Sequence, residues 1–165
     1  MKIFIPIIII ISVILVIKFL IAIERKKTKF PYLKKKYFLT NVEREFFKVL
    51  EEAIKNEYYI FPQVNLSNLL FTEKGEEYYK YHNKIDRKSV DFVIIEKNYL
   101  APLLVIELDD SSHNLEKRIE RDDFVEEVLK EAEIPLLRLK TKELYNVSEI
   151  ASLIYNMIHN QEDKK

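Results

Sequence analysis

Val90-Asp91-Phe92-Val93-Ile94-Ile95 and Leu103-Leu104-Val105-Ile106-Glu107-Leu108-Asp109-Asp110 are the two runs whose reading decides the fold of this chain. Both are rich in β-branched and aliphatic residues. Both are apolar on each of the faces that a period of two separates, which marks strands covered on both sides. Into this apolar frame the chain introduces Asp91, Glu107 and Asp109. Removing an ionised carboxylate from water is costly unless a cation or hydrogen-bond donors compensate it, so the pattern points to a bound metal ion. Glu107 and Asp109 share a face and lie about 7 Å apart at the C-terminal end of their strand, where sites in open α/β sheets tend to form. If the two runs pair as an antiparallel hairpin, Asp91 at the start of one approaches Glu107 near the end of the other. The competing reading leaves these acids just past the buried segments, solvated or ion-paired.

Working outward, Thr40-Asn41-Val42-Glu43 is a capping box, and Phe46, Phe47, Val49, Leu50, Ala53 and Ile54 follow at helical spacing, predicting a helix over 41–56. Residues 58–64 read as a strand at a sheet edge, because Pro62 removes a ladder donor. A short apolar helix is expected at 66–71, and 72–88 is polar and tyrosine-bearing, a loop or weak helix. Strands at 89–96 and 102–108, a helix at 115–132, a strand at 136–139 and a helix at 147–160 complete the chain. An opening helix followed by this βββαβα order gives an α/β sandwich with one mixed sheet and flanking helices.

Ser111-Ser112-His113 follows the acidic strand end, and Leu115, Ile119, Asp122, Val125 and Leu129 then recur along one helix stripe. Asp122 takes a place where an apolar residue is expected. Either the helix dipole and Arg118 or Arg121 stabilise it, or it points back to the strand end and orients His113 or a metal-bound water. His113, directly after Glu-Leu-Asp-Asp, is a candidate general base or ligand. His82 and His159 have no partners at useful spacing and are read as surface residues. An all-oxygen ligand set of Asp91, Glu107 and Asp109 selects Mg²⁺ or Mn²⁺, which can activate water and stabilise the developing charge in phosphodiester hydrolysis.

The totals exclude several chemistries. Cysteine is absent, so there is no disulfide, thiolate zinc site or cysteine nucleophile, and the single glycine, Gly75, rules out glycine-rich phosphate loops. The zero net charge of the 165 residues hides an asymmetry: residues 1–36 hold nine Lys and Arg against one acid, whereas 37–165 hold eighteen against twenty-six. Such an acidic domain meets nucleic acid only through a local basic patch or bound divalent cations.

Residues 3–23 are apolar apart from Ser12 and Lys18, and a helix of that length covers about 31 Å, enough to span a bilayer. A cleaved signal peptide is disfavoured by the length of the run and the lack of a small-residue cleavage site. Arg25, Lys26, Lys27, Lys29, Lys34, Lys35 and Lys36 follow the run, which predicts a single-pass protein of bacterial inner-membrane type, N-terminus out and domain in the cytosol. The basic stretch at 25–36 is expected to contact anionic lipids. The expected organisation is an anchor at 1–23, a basic linker at 24–37, a domain at 38–160 and a polar tail at 161–165.

Val90 to Ile94, Val105 to His113, Arg121-Asp122-Asp123 and Ile134-Pro135-Leu136-Leu137-Arg138 together resemble the domain of unknown function (DUF) family 2726, which is similar to the very-short-patch-repair-like branch of the restriction endonuclease-like PD-(D/E)xK superfamily. The resemblance implies a restriction endonuclease-like core with Asp91, Glu107, Asp109, His113 and Asp122 in the active-site positions. Asp91 and Glu107 would bind the metal, Asp109 would complete the ligand set or position water, His113 would act as base or acid, and Asp122 would orient it. Asp109 stands where the general superfamily pattern has a lysine, and His113 or Lys88 are the candidates to replace that cation. An E-x-D…H…D pattern is the one expected in the repair-like branch. The function expected is a membrane-anchored, divalent-metal-dependent nuclease acting on DNA. The alternative is an inactive endonuclease-like scaffold or nucleic-acid-binding module at the cytosolic membrane face.

Overall fold

The computed structural model describes residues 4–24, 30–109 and 115–160, and separates a unit of residues Met1–Lys36 from one of Tyr37–Lys165. The first unit holds α1 (Phe4–Glu24) and, among residues 30–36, which have no regular secondary structure, the rings of Phe30 and Tyr32 stack at 5.9 Å. Among the described residues, no helix is long and apolar enough to cross a membrane, which corrects the predicted transmembrane helix. The single-pass, N-terminus-out, cytosol-facing placement rested on that span and falls with it. Arg25, Lys26, Lys27, Lys29 and the tail 161–165 lie outside the described residues.

In the second unit the capping box forms as the sequence predicts. The Thr40 amide donates to Glu43 Oε2 at 2.7 Å and the Glu43 amide to Thr40 Oγ1 at 3.3 Å, starting α2 (Asn41–Ile54). Lys55 and Asn56 adopt positive φ values of 46° and 64°, so the helix stops two residues earlier than the spacing suggests. The strands are β1 (Tyr59–Asn65), β2 (Ser89–Ile95), β3 (Pro102–Asp109) and β4 (Leu136–Lys140), and the helices α3 (Tyr78–Asp86), α4 (Leu115–Glu131) and α5 (Val147–His159). Residues 66–71 form only a 3₁₀ turn, Leu66–Asn68, because Asn65 Oδ1 caps the Ser67 amide at 2.8 Å and the turn runs out at Leu69.

The sheet order is β1-β2-β3-β4, with β1 at one edge as Pro62 requires. β1 and β2 pair antiparallel, as do β2 and β3, the latter with Phe92 opposite Ile106 and Val93 opposite Val105. β3 and β4 are parallel, Glu107 beside Arg138, and α4 provides the crossover that a parallel pair needs. One face packs on α2 and α5 through Phe92, Ile94, Leu104 and Ile106; the other gathers Val93, Ile95 and Val105 with Leu66, Ile85 and the α4 residues Val125 and Leu129.

Candidate functional site

The acids of interest come from the ends of β2 and β3 that face each other across the antiparallel ladder. Continuing the Phe92–Ile106 register by one step places Asp91 beside Glu107. By strand alternation Asp91 shares a face with Val93, Glu107 and Asp109 share one with Val105, and Arg138 shares one with Leu136. All four side chains therefore stand on the face of the sheet that α4 covers. The Leu108 amide donates to Asp91 Oδ2 at 2.8 Å, which fixes that carboxylate toward the end of β3.

Glu107 is only 8% exposed, and among the described residues it is the one buried charged side chain. Arg138 Nη1 lies 3.4 Å from Asp109 Oδ1 and 4.0 Å from Glu107 Oε2, so a single guanidinium sits between the two carboxylates of β3. Asp109 is half-exposed at the rim, and its carbonyl accepts from the Thr141 amide at 3.0 Å. The antiparallel pairing anticipated from sequence thus brings Asp91 to Glu107, while β4 adds a cation that the sequence reading did not number among the candidates. Its signal was available: Arg138 interrupts the apolar run Leu136-Leu137-Arg138-Leu139 as Glu107 interrupts its own.

The other candidates are placed differently. Lys88 sends its ammonium to the Lys84 carbonyl at 3.2 Å and over the Phe124 ring at 4.7 Å, toward α3 and α4. Asp122 is placed on α4 by its backbone; its side chain and the whole of His113 lie outside the described residues. Among the described residues, no group of three or more His, Asp or Glu side chains is placed to hold a metal ion. Two small clefts adjoin Arg138, one of about 390 Å³ toward Glu126, Lys130 and Pro135, the other of about 350 Å³ toward Lys142, Tyr145 and Asn146.

With this geometry in hand, comparison with family models matches residues 35–158 to the family described as protein of unknown function (DUF2726). The chain belongs to that family. The DUF2726 match covers β1 to β4 and every candidate acid, and leaves α1 outside it. No curated protein and no solved structure matches the chain.

Proposed function

We propose that this DUF2726 domain hydrolyses DNA phosphodiester bonds, as a member of the repair-like branch of the PD-(D/E)xK superfamily, with a divalent cation at Asp91 and Glu107. The observation that carries the reading is the burial of Glu107 beside Asp91 at a strand end. A buried ion pair seldom stabilises a fold more than apolar residues of the same volume would. A charge kept there against that cost is better explained by use than by stability.

The donor chemistry fits a hard ion, since Asp91 and Glu107 offer carboxylate oxygens from adjacent strands. Mg²⁺ or Mn²⁺ held there would polarise the phosphate and make its bound water more acidic. The chain's own groups divide the remaining work. The Leu108 amide keeps Asp91 aimed, and Arg138 carries a fixed positive charge at the end of β3 where negative charge would grow on phosphate oxygens. Asp109 at the exposed rim would position water, and the family resemblance implies His113 as the group that exchanges the proton and Asp122 as the residue that orients it.

Plasmid and single-stranded DNA incubated with the purified full chain and Mn²⁺ or Mg²⁺ should be cut. The cleavage should vanish with EDTA and in Glu107→Gln and Asp91→Asn variants that retain their melting temperature. Failure to cut any DNA or RNA under these conditions would overturn the proposal. A second reading, an inactive scaffold, draws on one observation: Arg138 already neutralises charge on Glu107 and Asp109. A cation at 100 times its dissociation constant would add about 2.7 kcal/mol of stability, so a Mn²⁺ thermal titration that leaves Tm unmoved favours the scaffold.

A further inference from the structure

The helix α3, Tyr78–Asp86, carries three tyrosines yet buries only Ile85. Tyr79 is 76% exposed, and Tyr81 and the nearby Phe71 are also open to solvent. Aromatic surface left in water on a nine-residue helix contributes little to the core and is typical of a surface with a partner.

The cations around these rings form a pattern. Lys80 and Lys84 hold their ammoniums 5.2 and 5.8 Å from the Tyr81 ring centroid. Lys84 and Lys88 stand 5.6 and 4.7 Å from the ring of Phe124 on α4. Ammonium and ring therefore alternate in the order Lys80, Tyr81, Lys84, Phe124, Lys88, and Arg87 adds a further charge beside the last of them. Lys88 immediately precedes β2, the strand that carries Asp91. A groove of about 840 Å³ lies between α3, the segment before it and α4, lined by Tyr78, Tyr81 and Phe124, and the three lysines of the row are not among its lining residues. Glu73, Glu77, Glu131 and Glu133 line the same groove, so a polyanion would be held by the lysine row and not by the groove as a whole.

We infer that α3 and the residues that follow it form a binding surface for a single-stranded polynucleotide, Lys84 and Lys88 taking phosphates and the exposed rings of Tyr79 and Tyr81 taking unpaired bases. Charge complementarity selects the occupant, because Lys84, Arg87 and Lys88 cluster their charge on a domain that is otherwise acidic, Lys80 being paired with Glu77. The alternation selects the strandedness, because bases can stack on protein rings only when they are not stacked and paired in a duplex. The inference extends the phosphodiesterase reading to the form of its substrate, and the binding step is separable from the chemistry.

Fluorescence anisotropy of a labelled twenty-nucleotide oligo-dT with the full chain in EDTA tests it. Binding is expected to exceed that of a duplex of equal length at least tenfold and to weaken with salt. Tyr79→Ala with Tyr81→Ala should loosen it at least tenfold at unchanged melting temperature, and Lys84→Ala with Lys88→Ala should flatten the salt dependence. Equal or tighter duplex binding, or variants that bind as the parent does, overturns the inference. Strand binding without metal-dependent cleavage supports this surface while removing the nuclease reading, and cleavage without strand binding does the reverse.

Discussion

On the side of the sheet that α2 and α5 cover, Phe92, Ile94, Leu104 and Ile106 are completely enclosed, and Phe46, Leu50, Ile150 and Ile154 close over them. On the α4 side, Val93 and Val105 are as deeply buried, but the same rows end in Asp91, Glu107 and Arg138. The first side is closed by aromatic packing: Phe92 lies 5.7 Å from Phe46 and 6.3 Å from Phe47, and Phe46 meets Tyr145 edge-on at 4.7 Å. The second gives up apolar contacts at one end in order to hold charge. The contrast teaches that one face supplies stability and that the other has stability to spend, which is where a site belongs.

The comparison can be broken most forcefully at Phe92. Phe92→Ala should cost about 3–5 kcal/mol in urea unfolding, since it removes a fully enclosed ring and leaves a cavity. A cost under about 1 kcal/mol would deny that face its structural role. Next, Arg138→Met should cost about 2 kcal/mol, below the range for fully buried pairs because Asp109 is half-exposed and the nearest contact is 3.4 Å. Replacing Glu107 and Arg138 together by Leu and Met should recover most of that loss, and an unfolding experiment showing additive losses would mean that the two do not act as a pair. Thr40→Ala removes the capping box of α2 and should cost about 1 kcal/mol, lowering Tm without touching the α4 side.

The smallest effect is expected at Glu96, in the turn between β2 and β3 and on neither face. The Tyr99 and Asn98 amides donate to its carboxylate at 2.7 and 2.8 Å and hold its pKa below the ordinary carboxylate range. A carboxyl whose folded pKa is lowered stabilises the fold above its unfolded pKa, and that contribution disappears as pH falls through the folded value. Glu96→Gln should therefore lower Tm slightly at pH 7, and the gap to the parent should close under acid. A gap that persists at low pH would assign the loss to geometry and not to charge.

Much of the fold was legible because it is written in local signals. The Thr40–Glu43 box, Pro62 at an edge, and the apolar runs of β2 and β3 each carry their meaning within a few residues. Segment 72–88 was less legible, since α3 buries a single side chain and so lacks the periodic apolar stripe by which helices are recognised. The N-terminal run misled for the opposite reason: its composition met the rule for a span, yet among the described residues no helix meets the requirement of length and apolarity together.

The sequence by itself determined that three acids interrupt apolar strands and that one pairing would bring Asp91 to Glu107, because alternation and hairpin geometry are properties of the chain. Only the tertiary structure decided that Arg138, some thirty residues beyond Glu107, stands beside it, and that Lys84 of α3 and Lys88 after it frame a ring of α4. Strand order and crossover set those contacts, and no local spacing encodes which distant cation a sheet will lay against a buried carboxylate.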